Sequence, residues 1–236
     1  VLDYETFEAI TFDCYGTLID WESGILSSLA PVFRRAGLDV EGELILEAYG
    51  AAETQIESGA YAPYKEVLAE VLRSLGGRFG FSPTAEEIVA FSRSPGSWPP
   101  FSDTVDALRL LEGKYALAIL SNVDNDLFEG SRDKLEAKFD HVFTAEDIGS
   151  YKPDRRNFEY ALKRLPVPKE RVLHAAQSLF HDVEPATELG LRTVWINRRG
   201  GRVGSGATPP GAASPDAEFP DMISFARAAA RGHDVR

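Results

Sequence analysis

Four short stretches carry side chains that could share one reaction: Asp13 with Thr17, Ser121-Asn122, Lys152, and Asp182. A carboxylate such as Asp13 can serve as nucleophile, general base or metal ligand. Gly16, close behind it, has no side chain to keep backbone N–H groups away from an anion. Each stretch alone also has an ordinary structural use. Ser121 suits a helix cap, Lys152 a surface charge, and either aspartate a helix start. The case for chemistry therefore rests on whether the fold brings all four together.

The surrounding elements predict that it does. Ala9, Ile10 and Phe12 form a compact apolar run that reads as a buried strand over residues 8–13, so Asp13 stands where strand gives way to loop. From Trp21 to Ser94 the pattern turns helical. Ile25, Leu26, Leu29, Val32 and Phe33 make one stripe, and Leu44, Ile45, Ala48, Ala52 and Ile56 a second. Val67, Leu68, Val71, Leu72 and Leu75 make a third, stopped by Gly76-Gly77. Thr84-Ala85-Glu86-Glu87 has capping-box spacing and opens a fourth through Ile88, Val89 and Phe91. Ser94-Pro95-Gly96-Ser97-Trp98-Pro99-Pro100 is rich in breakers and reads as a return hinge. Residues 20–100 are thus expected to form an all-helical insertion, with 1–19 and 101–236 as the domain it interrupts.

Beyond the hinge, strands and helices alternate, which predicts an α/β fold with a parallel sheet. Residues 115–120, 141–143, 172–175 and 192–196 read as strands, the last of them closing the sheet. Helices are expected over 105–111, 155–164 and 221–231, and Asp182 opens the one after the fourth strand. Residues 198–216 are rich in Gly, Pro, Ser and Ala and read as a mobile surface loop. Strand ends on one edge of a parallel sheet converge. The four polar stretches all fall at such ends or in the loops beside them, so they point at one pocket.

Composition narrows the partners. A net charge of −12 across 236 residues argues against nucleic acid or an anionic membrane as partner, while a pocket for a small anion depends on its local groups. Cys14 is the only cysteine, which excludes an internal disulfide and a cysteine metal cluster and fits a reducing compartment. Strand alternation turns Cys14 away from the side of Asp13, into the core. No apolar run reaches the roughly 18 residues of a membrane span. Val1-Leu2-Asp3-Tyr4-Glu5 carries acid where a signal peptide needs base, so a cytoplasmic protein is expected.

The stretches Phe12-Asp13-Cys14-Tyr15-Gly16-Thr17-Leu18, Leu120-Ser121-Asn122, Tyr151-Lys152-Pro153-Asp154 and Ala176-Gln177-Ser178-Leu179-Phe180-His181-Asp182 resemble, in order and spacing, the motifs of the haloacid dehalogenase superfamily. The resemblance implies a Rossmann-like core with a helical cap over the site. It implies Asp13 as a nucleophile that forms a covalent aspartyl intermediate, with Lys152 holding it ionised. Thr17, Ser121 and Asn122 would bind the substrate anion, and Tyr15 and Ser178 are counted with them. Asp182, with Lys152, is the candidate for activating water. A homodimer is implied by the resemblance alone.

Two departures choose a branch. Superfamily phosphatases carry a second Asp two residues after the nucleophile, to protonate an alkoxide leaving group; here that position is Tyr15. Metal-dependent members read Gly-Asp-Ser-x-x-x-Asp in the last motif, and here Gln177 replaces the first Asp, a carboxylate that helps hold Mg²⁺. Both losses fit a halide leaving group, which departs unprotonated, and the L-2-haloacid dehalogenase branch with its Asp-x-Tyr-Gly-Thr pattern. The expectation is hydrolysis of small 2-haloalkanoic acids with no cofactor. A Mg²⁺-dependent phosphatase and a non-catalytic binding protein are the alternatives. Against the dehalogenase stands a missing halide-gripping Arg, since no Arg or Lys lies between Val40 and Ala60, and a motif Tyr replaced by Phe158. His181 and Trp98 are the candidates to line the pocket instead.

Overall fold

The computed structural model describes residues 2–202 and 204–231. Its strands are β1 (Ala9–Phe12), β2 (Ala116–Ser121), β3 (His141–Thr144), β4 (Val172–Ala176), β5 (Arg192–Ile196) and β6 (Ala217–Phe219). The helices are α1 (Trp21–Arg35), α2 (Gly42–Glu57), α3 (Tyr64–Phe79), α4 (Ala85–Ser92), α5 (Thr104–Leu111), α6 (Asn125–Leu135), α7 (Ala145–Ile148), α8 (Arg155–Leu162), α9 (Glu184–Glu188) and α10 (Met222–Arg231). All strand pairs are parallel, in the order β3-β2-β1-β4-β5-β6. The chain builds outward from β1 through β2 to β3, then crosses back to β4 on the other flank of β1. That reversal is the place where open α/β sheets bind ligands.

Period-two alternation sends the strands' side chains to two cores. Ile10, Phe12, Leu117, Ile119, Leu173 and Ala175 face one side with Leu108 of α5 and Phe225 of α10. Ala9, Ala118, Leu120 and Val172 face the other, against Phe158 and Ala161 of α8 and Ala186 of α9. Cys14 is buried with the first set, as its alternation requires.

The inserted helices α1–α4 leave the sheet after β1 and return before α5. Asp20 caps α1, and Thr84 with Glu87 closes a reciprocal capping box at α4. Four sequence expectations need correction. The α2 stripe buries Ile45, Ala48 and Ala52 as expected, but Leu44 is 49% exposed, and the buried face extends to Tyr49 and Glu53, because α2 also turns a polar flank toward the site. Helix α3 continues through Gly76-Gly77 and stops at Gly80, which supplies the left-handed turn (φ 80°). Gly76 serves instead as a close-contact point, where an added Cβ would meet Phe81 O at 2.5 Å.

The sheet does not end at β5; the three-residue edge strand β6 was too short to show as a periodic run. Nor is the loop ahead of it a loose surface segment. Ala207 and Thr208 are buried, and a Cβ on Gly50 of α2 would lie 2.3 Å from Ala207 O, so loop and helix are in backbone contact. Arg199 bonds Glu22 of α1 and Glu43 of α2, and Gly206 N and Ala207 N donate to Glu43 and Glu22. The small residues that suggested disorder are what permits that approach. Among the described residues, no helix is long and apolar enough to cross a membrane.

Candidate active site

The four stretches meet at the carboxyl edge of the sheet. Asp13 follows β1, Ser121 ends β2, Lys152 comes from the loop before α8, and Asp182 lies beyond β4. Lys152 Nζ sits at the centre, 2.9 Å from Asp13 Oδ1, 2.6 Å from Asp182 Oδ1 and 2.9 Å from the Leu120 carbonyl. Thr17 Oγ1 donates to the other oxygen of Asp13 at 2.7 Å. Both oxygens of the carboxylate are thereby fixed before any ligand arrives, which is the preorganisation a nucleophile needs.

A second row supports this one from inside the sheet. His174 on β4 contacts Asp182 Oδ1 through Nε2 at 3.0 Å and Thr11 Oγ1 on β1 through Nδ1 at 2.9 Å. A carboxylate only accepts, so Nε2 donates to Asp182. Burial raises Asp182, but Lys152 and His174 outweigh it and hold its carboxyl below the ordinary range. Burial lowers Lys152, but Asp13 and Asp182 outweigh it and keep the ammonium charged well past neutrality. For Asp13, burial pushes the carboxyl up, Lys152 pulls it down and Asp182 pushes it up again, leaving it above the usual carboxylate value.

Asp182 does not open a helix. It lies inside the π-helical turn Leu179–Val183, where Ser178 caps the turn by accepting from His181 N. The extra residue of such a turn rotates Asp182 back toward Lys152, a π-turn role common at functional sites. Its Oδ2 is buried with no protein partner, as is Ser121 Oγ. Those two atoms face the cavity without a bond of their own, and are therefore the groups available to a ligand or to water.

Other predicted binders have different work. The Thr17 side chain is spent on Asp13 and on accepting from Gln177 N, and the backbone at Thr17 is anchored by the Arg198 guanidinium on its carbonyl. Asn122 uses its side chain to clamp the Lys152 loop, accepting from Lys152 N at 2.7 Å and donating to Lys152 O at 3.0 Å. Tyr15 lines the cavity with its ring, but its hydroxyl is bonded to Ser131 at 2.9 Å, turned away from Asp13. Trp98 packs against Gly24 with its Nε1 on Ser28 and does not line the cavity. His181 does line it, and burial lowers its pKa to about 4, so it is neutral at pH 7.

The opposite wall belongs to the inserted helices: Trp21 from α1, Glu53 and Glu57 from α2, and Tyr64 from α3. None of these four was expected from the sequence. Glu53 Oε1 accepts from both Tyr49 Oη (2.7 Å) and Tyr64 Oη (2.6 Å). Glu57 Oε2 accepts from Asn122 Nδ2 at 3.2 Å, and its Oε1 is buried without a partner. The available signal was their i,i+4 spacing in line with Tyr49, which sets all three on one face of α2. Thr208, from the loop read as mobile, completes the wall and donates to Gln177 Oε1 at 3.0 Å.

The free space between the two walls is about 40 Å³, room for about three waters. A divalent cation does not fit its donor set. The two core carboxylates already share the Lys152 ammonium, and the third position that would coordinate is the amide Gln177, committed to Thr208. Among the described residues, no three His, Cys, Asp or Glu side chains are grouped to hold a metal.

The chain is 28% identical over 205 residues to an (S)-2-haloacid dehalogenase of Pseudomonas putida, covering 84% of this chain and 87% of that one. It is 25% identical over 196 residues to haloacetate dehalogenase H-2 of Moraxella sp. (strain B), covering 82% and 87%. Its fold superposes on the L-2-haloacid dehalogenase of Xanthobacter autotrophicus with a TM-score of 0.80 at 21% identity, covering 96% and 99%. A family model for haloacid dehalogenase-like hydrolases matches residues 7–190, a span that holds Asp13, Ser121, Lys152 and Asp182, and the chain belongs to that family of hydrolases.

Proposed function

We propose that this protein hydrolyses small 2-haloalkanoic acids by way of an ester on Asp13. The observation that carries the reading is the pairing of a fixed, buried carboxylate with a wall that has lost both the phosphatase's acid and its metal ligand. The Tyr15 hydroxyl, bonded to Ser131, is in no position to protonate an alkoxide. Gln177 is committed to Thr208. The named activities of the Pseudomonas and Moraxella relatives lie in the same direction.

The steps follow from the geometry. The substrate carboxylate binds at Ser121 Oγ and the backbone N–H groups after β1 and β2. An Asp13 oxygen attacks C2 in line, the carbon–halogen bond breaks, and halide leaves with the bonding pair. Asp182 Oδ2 takes one proton of a water whose oxygen attacks the ester carbonyl at Asp13; the bond from that carbonyl to the substrate oxygen then breaks, the departing oxygen takes the proton from Asp182, and Asp13 ionises, so that a 2-hydroxyacid and one proton are released. Lys152 stabilises the oxyanion of that second step, being 2.9 Å from Asp13 Oδ1 already. Residues 20–100 act as a cap that excludes bulk water, with 1–19 and 101–236 as the core domain. A cytoplasmic site of action and a homodimer are carried by the composition and the family resemblance respectively.

The test is halide release from bromo- and chloro-substituted acetate and propionate, beside phosphate release from phosphate monoesters, each with Mg²⁺ and with EDTA. Halide release indifferent to EDTA is expected. Asp13→Asn should lower it by at least about 10⁴-fold, the scale seen on removing a nucleophile, with the melting temperature little changed. Phosphate release abolished by EDTA, or an Asp13→Asn variant that still turns over, overturns the reading.

A further inference from the structure

An in-line displacement expels its leaving group on the side opposite the nucleophile. Asp13 attacks from the core, so halide departs toward the inserted helices, whose polar groups there are Glu53, Glu57 and Tyr64. Tyr64 Oη is already bonded to Glu53 Oε1 and Tyr49 Oη. Glu57 is not so committed. Asn122 Nδ2 donates to its Oε2, which assigns the acid's proton to Oε1, the buried oxygen with no partner. A donor without an acceptor in an enclosed wall costs stability unless a ligand completes it.

We propose that the Glu57 carboxyl, as the neutral acid, takes the place of a cationic halide grip and donates a hydrogen bond to the departing halide, which directs the enzyme toward the most basic halide, fluoride. The inference rests on the dehalogenase reading and deepens it. Attack forms the Asp13 O–C2 bond and breaks C–F; fluoride leaves with the pair, bonded to Oε1–H of Glu57. Water then cleaves the ester, so the sum is fluoroacid plus water giving hydroxyacid, fluoride and one proton. A hydrogen bond matters more the more basic the leaving atom, and fluoride exceeds chloride and bromide in that respect. Burial pushes Glu57 well above the ordinary carboxyl value and the neighbouring Glu53 adds to it, against the opposing pull of Asn122 and Lys152.

The experiment compares fluoro-, chloro- and bromoacetate by halide release, in wild type and in Glu57→Met, which keeps the length and removes every hydrogen-bond donor. Wild type should release all three halides. Glu57→Met should lose fluoride release by about 100-fold, the lower end for an acid catalyst, chloride release by less, and bromide release least. Equal losses on all three, or none, overturn the proposal. Bromide and chloride release without fluoride release in wild type overturns it and leaves the dehalogenase reading standing; no release of any halide overturns both.

If circular dichroism shows that the variant does not fold, the wild-type pH profile decides. Fluoride release should fall more steeply than bromide release as pH rises and Glu57 loses its proton; parallel profiles overturn the proposal. Glu57 is faced by Tyr49, Glu53, Tyr64, Tyr151, Lys152 and His181, and shares its clefts with Tyr61, Asp154 and Arg156 and with Asp13 and Asp182. Only Glu53, at about 7, titrates near neutral pH among those with a stated value, so the profile is repeated in Glu53→Gln.

Discussion

On the core side of the cavity, opposite charges alternate: Asp13, Lys152, Asp182, then the His174 imidazole and the Thr11 hydroxyl, each bonded to the next. On the helical side, two carboxyls four residues apart face the same space with tyrosine hydroxyls and an amide for hydrogen-bond partners. The core wall stores its charge by pairing it. The helical wall escapes the cost of burying charge by holding protons. Two buried acidic walls therefore respond in opposite ways to a lost partner and to pH, and three measurements separate them.

The largest effect is expected from Lys152→Met. Removing the shared ammonium leaves Asp13 and Asp182 facing each other in a site that excludes water, and breaking a buried pair from one side costs about 3–5 kcal/mol. Urea unfolding should show that loss at pH 7 and recover part of it at pH 4, where a carboxyl can take up a proton instead. A loss that does not depend on pH would mean that Lys152 acts by packing, and the contrast between the walls would fail on the core side.

Glu53 tests the helical side. Burial raises it from 4.5 to about 7, against the pull of the Tyr64 and Tyr49 hydroxyls. Between those values the folded protein holds a proton that the unfolded chain has released, so stability falls as pH rises. The cost grows to on the order of 3 kcal/mol by pH 7 and then levels off. Glu53→Gln, which can still accept from both tyrosines, should flatten the slope of melting temperature between pH 5 and 7. Some slope remains from Glu57, which is raised in the same direction. A profile that is already flat in wild type would place a charge on that wall.

The same contrast decides what could be read from the sequence. Asp13, Ser121, Lys152 and Asp182 were legible because a strand end fixes where a side chain goes: once alternating apolar runs predict a parallel sheet, position along the chain becomes position in space. Glu53 and Glu57 were hidden because a helix exposes polar residues by default. Only rotation about the α2 axis decides whether Glu53 meets solvent or Tyr64 of α3, and the rotation is set by contacts that periodicity does not report, such as Gly50 against Ala207. The stripe through Ile45, Ala48 and Ala52 is buried as read, while Leu44 at its edge is 49% exposed. The loop over 198–216 misled for a related reason. Glycine and alanine read as disorder, whereas here they let backbone come within contact of a helix.

The smallest effect tests whether the helical wall is held to the core by that loop. Arg199 bridges Glu22 and Glu43 at 2.7 Å to each, and the backbone N–H groups of Gly206 and Ala207 donate to the same two carboxylates. Arg199→Met keeps the aliphatic stem and removes the charge, leaving two carboxylates with only N–H donors between them. The pair is partly screened by solvent, with side chains between 13% and 33% exposed, so a loss of about 1 kcal/mol is expected, shrinking as salt is added. If the loop clamps the wall, amide exchange at Gly206 and Ala207 should speed up and KM should rise more than kcat falls, because a wall that rests open binds substrate less often but meets it in the same geometry. If exchange and kinetics are both unchanged, the wall is held by burial of Ala207 against α2 alone. Gly50→Ala, which thrusts a methyl group at Ala207 O, then becomes the substitution that opens it.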